Sequence, residues 1–587
     1  MKQWDNTQEW NEKTIGEQYN NAINYYSSTD LNWSMYNGNQ WVGINARELP
    51  KMTMPICQQA IDYLISSILS RPLRAEYNAD NIPEPPPPPK EGEPPESPEY
   101  TRDRQIRQTI RNLTLSADMK WEKEKMPSKL RSLLLDAANS GDMCAHVYWD
   151  ARVNTRQNET GDFKTELIDG ANVMFGNPNT QETECQPYIL IVGRDIVSRL
   201  KKEAKDNKVS KELIERIMSD EDTEYQIGER GKVELEGGDE NSKKATYVIK
   251  YWRDEESGHI FWNKSTRYCP IRRTVDTGLT RYPIVWNNWR TVKHSYHGNS
   301  AIGAIIDNQI AINQMFAMVV YWMRQQAFGK IIIDSSRITS WSNKIGEVIK
   351  ADGNVDSIVK QLESGNFNSA ILDVINLAIK YTKDFIGANE AALGQINPEQ
   401  ASGTAIMMTA KQAAIPHENI LAHLEQFVED LYLVWGEFYL KKYDSRTLYF
   451  SNAKNKTDAF SYNSADLADV LLSCKVNVGP STIWSETLLL QNLDNLLARQ
   501  AISAKQYFER IAPLNIMPDV QGLIADARLK EMQAAKEAEF QKQLALMQGQ
   551  APKPAQGANP NNTPELQGSM GLMAQNNLRT SQPKQGL

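Results

Sequence analysis

The chain has 587 residues, 40% of them hydrophobic and 24% charged, with a formal net charge of −8. That length exceeds what a single hydrophobic core normally serves, so several domains are expected. The acidic balance, 65 Lys+Arg against 73 Asp+Glu, argues against tight, static binding of nucleic acid, which needs clustered cations to displace counterions, but is compatible with a surface along which nucleic acid slides.

Five cysteines, Cys57, Cys144, Cys185, Cys269 and Cys474, are scattered without a CxxC spacing. They read as reduced thiols of an intracellular protein rather than a disulfide framework. The N-terminal MKQWDNTQEW lacks the apolar core of a signal peptide. The longest apolar run, Met315 to Met323, is far shorter than the roughly 20 residues that span a bilayer. A soluble protein made in a cytoplasm, without a membrane partner, is the expectation.

Along the chain, Trp10, Ile15, Tyr19, Ile23 and Tyr26 predict an amphipathic helix over 7–27, followed by a turn at YNGNQW (36–41). A second helix is predicted over 55–70, with Ile56, Ala60, Tyr63, Leu64 and Ile68 inward and Pro72 at its end. Residues 83–98, dominated by proline and glutamate, predict an extended surface loop; the functional alternative is a ligand for an aromatic groove. A helix over 128–140 ends at Gly141, and MCAHVYWD then reads as a buried strand. Further strands are expected at Phe163–Ile168, Val173–Phe175 and Tyr188–Val192. A charged helical stretch follows over 194–218, then an acidic loop over 220–243 and more strands over 245–290. The first 290 residues thus read as a mixed α+β body.

Residues 299–327 predict one long helix whose second half is apolar nearly all round, so it must be enclosed by other helices of this chain or of its copies. Residues 328–367 break that pattern, with a short strand at Lys330–Asp334. A second helix over 369–386 carries Ile371, Val374, Ile375, Ala378 and Phe385 on its apolar face. A loop follows over 391–403, then a helix from about Thr404 to Lys442. Its face repeats through Ile420, Leu424, Phe427, Leu431, Trp435 and Phe438, and Pro416 predicts a kink. Strands are expected over 445–480 and helices over 485–547. The Gln-, Asn-, Pro- and Gly-rich residues from 548 on cannot bury enough apolar surface to order.

Candidate chemistry is sparse. No GxxxxGK[ST] phosphate loop and no GxSxG elbow occur; Gly298 and Gly303 read as a helix entrance. His294 and His297 lie three apart with no acidic or cysteine partner at ligand spacing, which argues against a metal site. Cys144 and His146 share one strand face and read as core positions rather than a catalytic pair. Basic and aromatic residues alternate in YWR (251–253) and RYCPIRR (267–273), which reads as a sheet with one solvated face before it reads as a base-stacking surface. No cofactor and no enzymatic activity are expected.

The order of elements from Tyr296 to Tyr443 resembles the portal proteins of tailed bacteriophages. YHGNSAIGAIIDNQIAINQMF is similar to the family's segment at the start of its first stem helix. QAFGKIIID resembles the exit into the clip, and ASGTAIMMTAKQAA with the Pro416 region resembles the end of the tunnel loop and the start of the long helix. YNGNQW and ELIDGANVMFGNPNT are weaker matches, to a turn after the first portal helix and to a wing segment. The resemblance implies an α+β, multidomain fold. Its parts would be an N-terminal region and wing (1–298), a first stem helix (299–327), an α/β clip (328–367), a second stem helix (368–390) and a tunnel loop (391–403). A long kinked helix with wing strands (404–480), crown helices (481–547) and a disordered tail (548–587) would complete it. It also implies a homo-oligomeric ring, usually a dodecamer, at one capsid vertex of the virion. That ring would pass double-stranded DNA non-specifically in packaging and ejection, and would meet the major capsid protein, the terminase motor and neck adaptor proteins. The alternatives are a DNA-processing packaging enzyme, an ATPase or nuclease, and another oligomeric capsid or neck scaffold.

Asp373, Asn376, Lys380 and Asp384 fall on one polar stripe of the second stem helix. The expectation is that this stripe lines the channel, with an adjacent subunit or bulk solvent as the alternative. Gly394, Gln395, Ile396, Asn397, Pro398, Glu399, Gln400, Ala401 and Ser402 are expected to form the tunnel loop at the narrowest point.

Overall fold

The computed structural model describes residues 25–45, 49–69, 73–83, 98–157, 160–220, 243–327, 331–333, 336, 359–361, 370–385, 403–451, 457–478, 483–499, 501–511 and seven positions between 523 and 533. The chain divides into two compact units, Met1–Leu489 and Leu490–Leu587. The architecture is mixed α+β, with several separate sheets.

The first unit opens with α1 (Tyr25–Tyr36), α2 (Ile56–Ile68) and strand β1 (Leu73–Ala79). In α2, Ile56, Cys57, Ala60, Ile61, Leu64, Ile65 and Ile68 recur every three or four residues and all are buried. Helix α3 (Pro98–Lys123) starts on a proline, whose missing amide costs nothing at a helix start. It buries Ile106, Ile110, Leu113, Ala117 and Trp121. Helix α4 (Met126–Ser140) carries Pro127 in its first turn and stops at Gly141, whose φ of +99° suits a residue without Cβ. There follow β2 (Asp142–Asp150), β3 (Asp162–Leu167), β4 (Val173–Phe175), β5 (Tyr188–Ile196), α5 (Val197–Asp206), a single helical turn Lys211–Ile214, and strands β6 (Lys244–Arg253), β7 (Ile260–Thr266), β8 (Pro270–Asp276) and β9 (Ile284–Asn288).

Next come α6 (Ile306–Ala327), β10 (Ile331–Ile333), β11 (Val359–Gln361), α7 (Ala370–Phe385) and α8 (Gly403–Lys442). Strands β12 (Ser445–Ser451), β13 (Thr457–Asn463) and β14 (Leu472–Val478) precede α9 (Ile483–Ala498) and α10 (Ala504–Ile511).

Strands β3, β2 and β9 form a three-stranded sheet in that order, and β4 to β8 form a five-stranded antiparallel meander. The pairs β1–β14, β10–β11 and β12–β13 stand apart. The alternating burial of β1 places Leu73, Ala75, Tyr77 and Ala79 inward, and β14 pairs with it from Leu73↔Val478 to Ala79↔Leu472.

The main core gathers around α8. Leu424, Phe427, Val428, Leu431 and Trp435 are fully buried, with Phe438 nearly so. Trp435 meets Trp121 and Phe163, and its indole N–H donates to Thr165 Oγ1 at 2.9 Å, which satisfies the one polar atom of a buried tryptophan. Tyr77 Oη donates to the Tyr432 carbonyl at 2.7 Å and so ties β1 to the middle of α8. In the second unit, Leu493, Tyr507 and Ile511 bring α9 and α10 together.

Several sequence expectations change in detail. Helix α3 is an added element; its apolar spacing is diluted by arginine, glutamine and asparagine on the other faces. The long helix expected from 299 begins at Ile306, after a 3-10 turn at Ile302–Ala304. Before it the backbone is held to other segments: the Asn299 and Ala301 amides donate to the Arg290 and Ala138 carbonyls, both at 2.9 Å. As expected, Pro416 falls inside helix α8. Of the expected tunnel loop (391–403) all but Gly403, most of the expected clip (328–367), most of the proline-rich loop and the segment from 548 on lie outside the described residues, as does the predicted first helix before Tyr25.

Candidate functional site

Helices α6 and α7 flank the antiparallel β10–β11 ladder, so the chain leaves one helix and returns to the other. The two helices share a small apolar core of Ile312, Val319 and Ile375 with Ile56 of α2, and half-buried Met315, Phe316, Ala378 and Ile379 surround it. On another side of α6, Ala317 packs against Trp41.

A chain of buried amides fixes α6 on the segment before α2. Asn313 Nδ2 donates to Gln40 Oε1 at 2.6 Å, and Gln309 Nε2 donates to Asn313 Oδ1 at 3.0 Å. The backbone amides of Met54 and Cys57 donate to Asn313 Oδ1 and Gln309 Oε1. Sliding α6 by one turn would break the three bonds to Gln40, Met54 and Cys57 and strand the amides in an apolar setting, so this network sets the helix's register.

Helix α7 has three kinds of surface. Successive residues step by about 100°, so Ile375, Ala378, Ile379 and Thr382 share the face toward α6. Asp373, Asn376, Lys380 and Asp384 lie on roughly the opposite side, and all four are exposed. Between these surfaces runs a third strip of Val374 (52% exposed), Leu377 (49%) and Tyr381 (55%). Met318 of α6 is likewise 56% exposed. The expected apolar face is thereby divided: Ile375 and Ala378 turn inward, whereas Ile371 and Val374 stay outside, and the Phe385 side chain lies outside the description. Contiguous apolar side chains left half in water mark an interaction surface more often than scattered ones do.

The foot of α6 is built on one buried carboxylate. Asp142, at the start of β2, has a fully buried side chain. Its Oδ1 accepts from Asn288 Nδ2 and from the Gly298 amide, both at 2.8 Å. Its Oδ2 accepts from Tyr25 Oη at 2.7 Å and lies 2.6 Å from His297 Nδ1. A buried carboxylate needs this density of donors to offset the loss of water. Gly298 is glycine for a steric reason: a Cβ there would strike the Gly141 carbonyl, Asn288 Cβ and the Arg290 carbonyl. The partner of His297 therefore stands 155 residues upstream. No spacing rule could have located it, and His294 takes no part in that cluster.

Cys144 and His146 are absorbed by the core. Burial pushes the Cys144 thiol well above its usual range, and it packs with Phe175, Trp286 and Tyr296. Burial also lowers His146 to about 4, with its Nε2 2.9 Å from Tyr251 Oη. Of the basic residues near aromatics, Arg253 pairs with Glu184, and the Arg272 guanidinium sits 4.9 Å over the Trp262 ring. Among the described residues, no group of three or more His, Cys, Asp or Glu could hold a metal ion, and no helix is long and apolar enough to cross a membrane. No protein-family model matches the chain, and no curated protein matches it.

Proposed function

We propose that this chain is the portal subunit of a tailed bacteriophage, assembled as a closed ring at one capsid vertex. The single observation that carries the reading is α7, a helix with one face packed on α6, a polar stripe and an unpacked apolar strip. A ring uses a heterologous contact, in which one surface of a subunit meets a different surface of the next and the rotation closes. In this reading Val374, Leu377 and Tyr381 meet the neighbouring copy, and Asp373, Asn376, Lys380 and Asp384 face the lumen. Mixed charge there gives only weak, salt-screened contact with DNA phosphates, which suits a conduit that must not hold its cargo. The order of helix, strand-bearing insert, helix and long helix from 306 to 442 fits stem, clip, stem and the long helix that leaves the channel. The insert would dock the packaging motor, and the neck proteins would later take its place.

The test is electron microscopy of the purified full chain, with parallel assays of ATP hydrolysis and DNA cleavage. Rings with a central hole, inactive in both assays, are expected. Monomers or open filaments would contradict the portal reading, and robust hydrolysis or cleavage would favour a DNA-processing enzyme.

A further inference from the structure

We infer that helix α1 is a detachable strap that locks the foot of α6. Helices in this chain usually dock by apolar burial, as the seven buried side chains of α2 illustrate. The buried residues of α1 are Thr29, Asn32 and Met35, so one apolar side chain is fully buried, with Leu31 and Tyr36 only partly so. Its docking is mainly polar. Tyr25 donates to Asp142, and its ring stacks on His297 at 3.8 Å with an 18° interplanar angle. Asn32 Nδ2 donates to the Asn139 carbonyl at 2.6 Å and to Ser300 Oγ at 2.9 Å. Tyr36 Oη donates to Asp62 Oδ1 at 2.7 Å.

These contacts join the end of α4, the start of β2 and α2 to the segment 297–300, from which α6 rises. Once α1 has lifted, water that reaches these groups can take up the polar bonds, and Asp142 keeps its donors from Asn288, His297 and Gly298, whereas a buried apolar face has no such replacement. A helix docked in this manner belongs to the least stable cooperative unit of a fold. The end of the strap stays fastened. Just beyond α1, Gln40 holds Asn313, and Trp41 packs on Ala317 while its Nε1 donates to the Met52 carbonyl. Between helix and fastening lies Gly38, whose φ of +83° ends α1, with the Asn39 amide donating back to the Ser34 carbonyl at 2.8 Å. When α1 lifts, His297 and Ser300 each lose a partner, and the foot of α6 loosens while the α8 core stays closed. This inference rests on the contacts of α1 alone and does not depend on the portal reading.

Hydrogen–deuterium exchange on the full chain tests it, with wild type read first because it requires no variant to fold. Amides of α1 should exchange at least about tenfold faster than those of α2 and α4, as separate opening requires. The Tyr25→Phe/Asn32→Ala variant should then speed exchange in α1 and in 297–306 by about tenfold and leave α8 unchanged. Exchange of α1 in step with α2 and α4 in the wild type would overturn the inference. So would a variant in which α8 accelerates equally, or one in which α1 opens without any effect on 297–306.

Discussion

Helices α7 and α8 are consecutive in the chain and comparably rich in apolar residues, yet they use them differently. In α8, from Ile420 to Tyr439, the apolar stripe is closed over by α3, β1, β2 and β3. Among the described side chains of α7 only Ile375 and Thr382 are buried, and Val374, Leu377 and Tyr381 stand about half in water. Among the described residues the stripe of α8 is covered by its own chain, whereas part of the apolar surface of α7 is left uncovered. In the portal reading proposed above, that difference separates residues that hold the chain together from residues that would meet a neighbouring copy.

Substitutions should reproduce that contrast, and the largest loss of stability belongs to α8. Trp435→Ala should cost about 4 kcal/mol in urea unfolding, because it leaves a cavity beside Trp121 and Phe163 and a Thr165 hydroxyl without its indole donor. A loss below about 1 kcal/mol would mean that α8 is not the organising element. Asp142→Asn, at the foot of α6, should cost about 3 kcal/mol, since the four donors around the carboxylate would meet a weaker acceptor and a new N–H group.

The next effect depends on pH. Burial raises the Asp136 carboxyl on α4 from 3.8 to about 6. The folded chain therefore binds a proton there more tightly than the unfolded chain does. The stability this supplies is full below pH 4 and is lost as pH rises through 6. Asp136→Asn should remove that loss, so the variant gains at most about 3 kcal/mol over wild type at pH 7 and nothing at pH 3.5. A difference that does not change with pH would contradict the assignment. The smallest change in stability belongs to α7: Leu377→Asp should alter the unfolding free energy of the isolated chain by less than about 0.5 kcal/mol while abolishing the assembled species in sedimentation. Equal damage to folding would move Leu377 into the group that α8 represents.

What could be read in the sequence follows the range of the interaction. The face of α8 from Ile420 to Phe438 was legible because helical periodicity is local and strong. Val173–Phe175 and the neighbouring strands were legible for the same reason. The pairing of β1 with β14 was not, since Leu73 and Val478 are joined by no local signal. Neither was Asp142 as the partner of His297, nor Gln40 as the partner of Asn313, because a buried polar contact between distant segments leaves no period. Helix α7 lies between these cases. Its polar stripe was legible, but periodicity alone could not decide which of Ile371, Val374, Ile375 and Ala378 the chain would cover.

Thiol labelling of α7 in the assembled protein tests the central claim most directly. With Cys185, the exposed cysteine, replaced by serine, the other four native thiols are buried. Leu377→Cys and Asn376→Cys then report on adjacent positions of the same helix. A subunit contact along the apolar strip, with the polar stripe facing the lumen, predicts that the Leu377→Cys variant is protected from maleimide in the assembly and reactive after dissociation, while the Asn376→Cys variant reacts in both. Equal reactivity of the two in the assembled species would contradict it.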